Sequence, residues 1–421
     1  MFSRSSLLAF CGPTLVLTAL LSAGGCNATN KPTPVGGGGA GGSTNNGTAG
    51  DELFGGGSPG TGGGPLQTEP PCEGVDPNID NDGDGYTGAA GDCNDCTTQM
   101  NPGAQDYPGN NIDEDCNGAK DDNPANCDAP LGLASPDPMD GARALGLCKV
   151  AQGPSWGVVS AQYITADGQA LTNYDPQGLG HGILPSFGTN VKPQEGAKML
   201  VLSSGAARQP SDPGFFPPEG YDKFYSTGSP PGYPKESPAC PGVTTGEPYD
   251  SAGLRLVIKT PTNAKSLTFN LNFYTFEFPG FICSEYNDFF VAMLSPKPGN
   301  QVDGNISYDS KGNTISVNAG FLQVCHPQTA SNGVFFDCPL GPDQLTGTGF
   351  DQYFGSPTDN SAATAWLQTT SPVETPGQNI TVDFAIWDSG DGILDSTVLL
   401  DNFQFGLDDT PTVTEPIPDP K

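Results

Sequence analysis

"SLTFNLNFYTFEF" (residues 266–278) decides how the rest of the chain reads. Phe269, Leu271 and Phe273 fall on every second position, with Asn270 and Asn272 between them. Successive side chains of an extended strand point to opposite faces, so this alternation specifies a half-buried strand. Similar stretches follow the same logic: WGVVSAQYIT (156–165), KMLVLSS (198–204), GLRLVIKT (253–260), DFFVAML (288–294), TISVN (314–318), NITVDFAIWD (379–388) and STVLLDNFQF (396–405). The single helical signal is DPMDGARALGLC (137–148), with Asp137 as a cap and Met139, Ala142 and Leu145 on one side. Many strands, long Gly/Pro loops and almost no helix predict a mainly β fold: an antiparallel β-sandwich of jelly-roll type over residues 127–408.

Composition bounds the function. The 421 residues carry 16 basic and 47 acidic side chains, a formal net charge of −31, which argues against nucleic-acid binding. Gly (59) and Pro (42) are abundant, so much of the chain is loop or linker. Residues 1–26 read as an export signal: Arg4, an apolar stretch from Leu7 to Leu21, then small residues before Cys26. "SAGGC" is similar to a bacterial lipobox, which makes Cys26 the candidate lipidation site and places the protein at the bacterial outer membrane or cell surface. Ordinary cleavage and secretion is the alternative. Residues 27–71 are a Gly/Ser/Thr/Asn-rich stretch with almost nothing to bury, expected to be a disordered tether; residues 409–421 read as a Pro-rich disordered tail.

Twelve cysteines include Cys11 and Cys26 in the export region. The other ten, Cys72, Cys93, Cys96, Cys116, Cys127, Cys148, Cys240, Cys283, Cys325 and Cys338, read as five disulfides in an oxidising compartment. Cys325 and Cys338 bracket a short loop and are expected to bridge, leaving Cys240 for Cys283. Zinc is disfavoured, because the lone C-x-x-C at Cys93–Cys96 has no second copy and the chain has only two histidines.

Residues 72–126 form an acidic module with few aliphatic side chains, so metal and disulfides must replace a hydrophobic core. Asp80, Asp82 and Asp84 stand two apart, with Gly85 after them and the carbonyl of Tyr86 next. That is the first half of an EF-hand loop, in which short carboxylates converge on Ca²⁺ and glycine makes the sharp turn. Gly91 stands where the EF-hand places its glutamate, so Asp92 or Asp95 is expected to complete the shell. Asp113, Asp115 and Asn117, followed by Gly118, repeat the spacing, with Asp106, Asp121 or Asp122 to complete a second site. In the sandwich, Asp388, Asp391, Asp395, Asp401 and Asn402 form one acidic stretch, and Glu285, Asn287 and Asp288 another. Were the two to meet at one end, they would make a further Ca²⁺ site; as isolated turn residues they would bond only their own backbone.

Nothing in the sequence spells an enzyme. There is no G-x-S-x-G, H-E-x-x-H or phosphate loop, and His181 and His326 read as loop hydrogen-bonding residues. Phe215, Phe216, Tyr221, Tyr225 and Tyr233 lie in long loops and are either sugar-stacking platforms or loop packing.

Two resemblances agree with this reading. "DNDGDGYT", "GDCND", "NPGA" and "GNNIDEDCNG" are similar to a bacterial metal-binding-motif family, related in style to thrombospondin type 3 calcium repeats. The cysteine usual in that family before the second acidic run is missing, and Cys96 stands in for it. One relative binds copper, but this segment offers no histidine and only Met100, so copper is rejected. "HGILPSFGTNVKPQEGAKMLVLSSGAAR", "YPKESPACPGVTTGEPYD" and "ITVDFAIWDSGDGILDSTVLLDNFQF" resemble the choice-of-anchor L domain of myxobacterial surface lipoproteins. The expectation is a non-catalytic, surface-tethered calcium-binding protein with a binding or adhesion sandwich. Its partner would be a polysaccharide or another cell-surface component. A purely structural envelope component and a secreted glycan-active hydrolase are the alternatives.

Overall fold

The structure, a computed structural model, describes residues 72–122, 126–172, 177–299, 301–351 and 361–417. The export segment with Cys26, the 27–71 stretch and the last four residues lie outside the described residues. The helix α1 (Pro138–Ala144) begins where Asp137 caps the amide of Met139. The strands are β1 (Gly157–Ile164), β2 (His181–Leu184), β3 (Met199–Ser203), β4 (Pro248–Lys259), β5 (Ser266–Thr275), β6 (Phe289–Ser295), β7 (Ile315–Ser316) and β8 (Val324–Cys325). They continue as β9 (Gln328–Thr329), β10 (Phe335–Phe336), β11 (Ala362–Ala363), β12 (Leu367–Pro372), β13 (Asn379–Ser389), β14 (Ser396–Gly406) and β15 (Val413–Pro416).

One sheet has the order β1-β4-β13-β6-β7 and the other runs β15-β12-β5-β14-β3-β2, with β11 joining β5 to β8. All the paired ladders are antiparallel. The chain passes from one sheet to the other at β1–β2, β3–β4, β4–β5, β5–β6, β7–β8, β12–β13 and β13–β14. The sheets meet over one apolar core, in which Phe269 of β5 stands edge-on to Phe384 of β13 at 5.0 Å. Each such fully buried aromatic stabilises the fold by about 1.5–3 kcal/mol through transfer from water alone.

β5 is not half-buried, as its alternation implied. Leu267, Phe269, Leu271 and Phe273 face the inter-sheet core, and Asn270 and Asn272 on the other side are buried as well. Loops cover that second face, where Tyr274 and Phe276 join Phe187 and Trp366 in a separate cluster. Asn272 accepts there from the Thr364 hydroxyl and donates to the side-chain amide oxygen of Gln344. The supposed tail is also corrected: Val413–Pro416 is a strand paired with β12. Its side chains bond in, with Thr414 Oγ1 2.9 Å from Thr369 Oγ1 and Thr412 Oγ1 3.4 Å from Ser371 Oγ. Its closing Pro416 suits an edge position, where no amide is required of it.

The acidic module docks on the sandwich at the β4–β5 turn and after β14. Thr262 N donates to Gly103 O at 3.0 Å, and Gln105 Nε2 to Phe405 O at 2.9 Å. Leu407 N donates to the Tyr107 hydroxyl at 3.0 Å. Five disulfides brace the whole: Cys72–Cys96, Cys93–Cys116, Cys127–Cys148, Cys240–Cys283 and Cys325–Cys338.

Candidate metal centres

The first acidic loop is shaped by its own backbone. Asp80 accepts from the amides of Gly83 (2.7 Å) and Gly85 (2.9 Å), and Asp82 and Asp84 each accept from the amide two residues on. Gly83 and Gly85 have φ of 85° and 97°, a region that side chains resist, which is why glycine closes these turns. Oxygens of Asp80, Asp82 and Asp95 lie within 4.8 Å of one another, and so do those of Asp82, Asp84 and Asp92. Asp82 therefore belongs to both triads. Asp92 and Asn94 are buried, and Asp82 Oδ2, Asp92 Oδ2 and Asn94 Oδ1 have no hydrogen-bond partner. Buried acceptors normally find a donor or a cation, because desolvating them unpaired costs about 1–3 kcal/mol each. Burial, with the nearby carboxylates adding to it, pushes Asp92 up to about 6. Asp82 and Asp84 move upward for the same first reason.

Asp95 is held differently. Its carboxylate accepts from the Asn81 amide at 2.7 Å and from the Asn81 side chain at 2.9 Å, and these bonds lower its pKa. Tyr86 sits at the carbonyl-donor position of the loop, with its own amide bonded to Asp84. Asn101, a residue the spacing did not single out, donates to Asp84 Oδ2 and is fully buried.

In the second loop the converging oxygens belong to Asp106, Asp113 and Asp115. Asn117 is turned away from that role: its amide nitrogen donates to Asp122 and its oxygen accepts from Ala119 N. Asp121 instead ties down the backbone of Gly109, Asn110 and Asn111. Lys149 Nζ lies 3.2 Å from Asp115 Oδ2, so part of this loop's charge already has a partner. Burial pushes Asp106 up to about 6 even though it accepts from three amides.

The acidic residues of the sandwich divide. Asp388 and Asp288 come together at one end, with Asp395 close by. Asp391 is half-buried at the rim. Asp401 does not join them: it accepts from the amides of Gln194, Glu195 and Asn402, and burial raises it to about 7. Glu285 is exposed, and in that stretch it is its backbone carbonyl that bonds, to Gly246 N. Asp401 departs at a bulge, where the β14–β5 ladder shifts register between Asp401 and Gln404 and re-aims the aspartate. Glu285 lies in the turns between β5 and β6, where its side chain faces solvent. The spacing also missed Glu277, Asp250 and Lys223, all buried at the same end. A lone charge inside an apolar run, as in TFEFPG, is the signal that could have found Glu277.

His181 is buried and stacked on Tyr163 at 3.8 Å, with Nε2 3.3 Å from Ser135 O. Burial first, then the Arg208 charge, lowers it to about 4. Of the loop aromatics, Tyr233 is packed between Phe289 and Trp387, and the Tyr225 hydroxyl is bonded to Ser251 O. Phe216 and Tyr221 stack at 4.0 Å, and the neighbouring Phe224 is 86% exposed.

A disulfide-stapled acidic module seated on an antiparallel β-sandwich is therefore the class of protein this chain defines. Residues 200–406, from β3 to the end of β14, match the Choice-of-anchor L domain family. No curated protein sequence matches the chain. Among solved structures, the chain is similar to the K2 cleaved adhesin domain of Lys-gingipain, with 13% identity over 59% of this chain and 89% of that one. The TM-score of 0.22 is too low for that likeness to carry any argument. Among the described residues, no helix is long and apolar enough to cross a membrane.

Proposed function

We propose that the chain is an exported, surface-held, calcium-binding protein whose sandwich serves binding or adhesion rather than catalysis. The observation that carries this is the unpartnered, inward-facing oxygens of Asp82 and Asp92, set among carboxylates on a loop that disulfides hold shut. An all-oxygen donor set of aspartates with an amide oxygen suits a hard divalent cation, and an irregular loop of this kind suits Ca²⁺ better than the stricter octahedron of Mg²⁺. The ion would offset the repulsion among Asp80, Asp82, Asp84 and Asp92 and order a segment that has no apolar core. The match to the Choice-of-anchor L domain and the export segment with Cys26 support a location at the cell surface.

For the partner, the stacked Phe216–Tyr221 pair and the exposed Phe224 of the same β3–β4 segment support a carbohydrate or another surface component, since aromatic faces stack on sugar rings. The test is calorimetric titration of the purified chain with calcium, against Asp82→Ala/Asp84→Ala, followed by glycan-array binding with and without Phe224→Ala. Heat at micromolar to millimolar calcium that the double variant loses supports the reading. No uptake by the wild type removes the calcium part of it, and no glycan signal removes the carbohydrate part.

A further inference from the structure

Two crossovers between the sheets meet at one end of the sandwich, and each is flanked by buried carboxylates. Glu277 follows β5 and Asp288 precedes β6; Asp388 lies at the end of β13 and Asp395 just before β14. Asp250 of β4 completes a set of five, each no more than 2% exposed. Buried charges without partners are costly and are ordinarily paired or bound to a metal.

The groups around them leave four oxygens unanswered. Asp288 accepts from Ser396 Oγ (2.7 Å) and Ser389 N (3.1 Å), and Asp250 accepts from the amides of Lys223 and Tyr225. Asp388 and Asp395 are 1% exposed, and neither oxygen of either makes a hydrogen bond of acceptable geometry. Ser204, whose hydroxyl donates to Ser396 O at 3.2 Å, and the Asp288 carboxyl both lie against Asp388. The cation buried here is Lys223, and its ammonium is already held by the carbonyls of Ser203 (3.2 Å) and Gly205 (3.1 Å). Among the described residues it forms no ion pair within 4 Å. Gly205 gives the Asp395 carboxylate its room, since any Cβ there would overlap it.

We infer that Asp388 and Asp395, with Asp288 and Glu277 behind them, bind a second kind of divalent-cation site, buried between the two sheets at the β5–β6 and β13–β14 crossovers. The ligand atoms open to an ion are all oxygens, with the Lys223 ammonium offsetting part of their charge, so the ion is of the calcium class. Such an ion would tie the end of β13 in one sheet to the segment entering β14 in the other, a link that none of the five disulfides makes. This site is independent of the acidic loops and stands or falls separately from them.

The test compares calcium stoichiometry in three full-length proteins by equilibrium dialysis: wild type, Asp388→Asn/Asp395→Asn, and Asp82→Asn/Asp84→Asn. The expected result is that the sandwich variant binds one ion fewer than wild type, and that the loop variant keeps this ion. The calcium-dependent rise in Tm should shrink in the sandwich variant. The inference is overturned if the sandwich variant binds as much calcium as wild type. It is also overturned if that variant melts higher than wild type with and without calcium alike, which would show carboxyls that simply hold protons. Should the variant not fold, terbium luminescence of the wild type decides. A bound population sensitised by tryptophan and almost free of coordinated water, read from lifetimes in H₂O and D₂O, is expected, because Trp387 adjoins Asp388 and is itself buried. If every bound terbium carries water, no buried site exists. Loss of binding by the loops alone would leave the water-free population in place.

Discussion

Asn101 Nδ2 lies 2.7 Å from Asp84 Oδ2, while Asn101 Oδ1 accepts from the Thr262 hydroxyl at 2.7 Å. One buried amide thus links the first acidic loop to the β4–β5 turn of the sandwich. A hydrogen bond to a charged group contributes about 1.5–3 kcal/mol when its geometry is held. Asn101→Ala should therefore weaken calcium binding at the first loop by roughly tenfold or more, and Thr262→Val by less. Calorimetric titration of both variants checks this, and equal affinities in all three proteins would break the link.

Removing calcium should loosen the module most, and in the sandwich it should act on the β5–β6 and β13–β14 crossovers rather than on the strands. Residues 72–122 contribute Ala104 as their fully buried apolar side chain, whereas β5, β13 and β14 are lined by fully buried apolar ones. Hydrogen exchange with and without a chelator should show a large rise in the first region and little change in the strands facing the main core. A uniform rise would mean that the ion holds the whole molecule.

Core truncation gives the reference scale for stability. Phe269→Ala removes a ring that is fully buried between the sheets and edge-on to Phe384. It should cost about 3–5 kcal/mol in denaturant unfolding. A cost below about 1 kcal/mol would show that the inter-sheet contact is not well packed.

His181 predicts an acid-side loss of stability. Its folded pKa, about 4, lies below the ordinary value of 6.5 because burial disfavours the imidazolium. Above pH 6.5 neither state holds the proton and the residue has no effect on the slope. Between 6.5 and 4 the unfolded chain takes up a proton that the folded chain refuses, so stability falls as pH falls, by up to about 3 kcal/mol. His181→Gln should remove this component of the slope, measured as unfolding free energy at pH 7, 5.5 and 4.5. An unchanged slope would mean that His181 takes up its proton equally in the folded and unfolded chains.

The long strands were legible because their faces are long enough to declare a period, as in β5, β13 and β14. Several short ones, among them β2, β8 to β12 and β15, were not. β12 reads Leu367-Gln-Thr-Thr-Ser-Pro, whose pairing with β5 rests on neighbours rather than on its own alternation. The spacing of Asp80, Asp82 and Asp84 was visible for a local reason, since a loop of six residues makes its own geometry. The grouping of Asp388 with Glu277 and Asp250 was not, because it depends on which crossovers share an end of the sandwich. Asp401 shows the converse: its neighbourhood in sequence suggested a site, and a bulge sent it to the Gln194 and Glu195 amides.

The sulfur links at the front of the molecule also govern how it bears tension. A pull on the chain upstream of Cys72 passes through Cys72–Cys96 and Cys93–Cys116 and then through Cys127–Cys148. While these bonds are intact, only the short segments between Cys93 and Cys96 and between Cys116 and Cys127 lie on the shortest covalent route. The stretches from Asp80 to Asp92 and from Asp106 to Asp115 are therefore bypassed by the load, and stretching in a force spectrometer should lengthen this region appreciably only after a reductant is added.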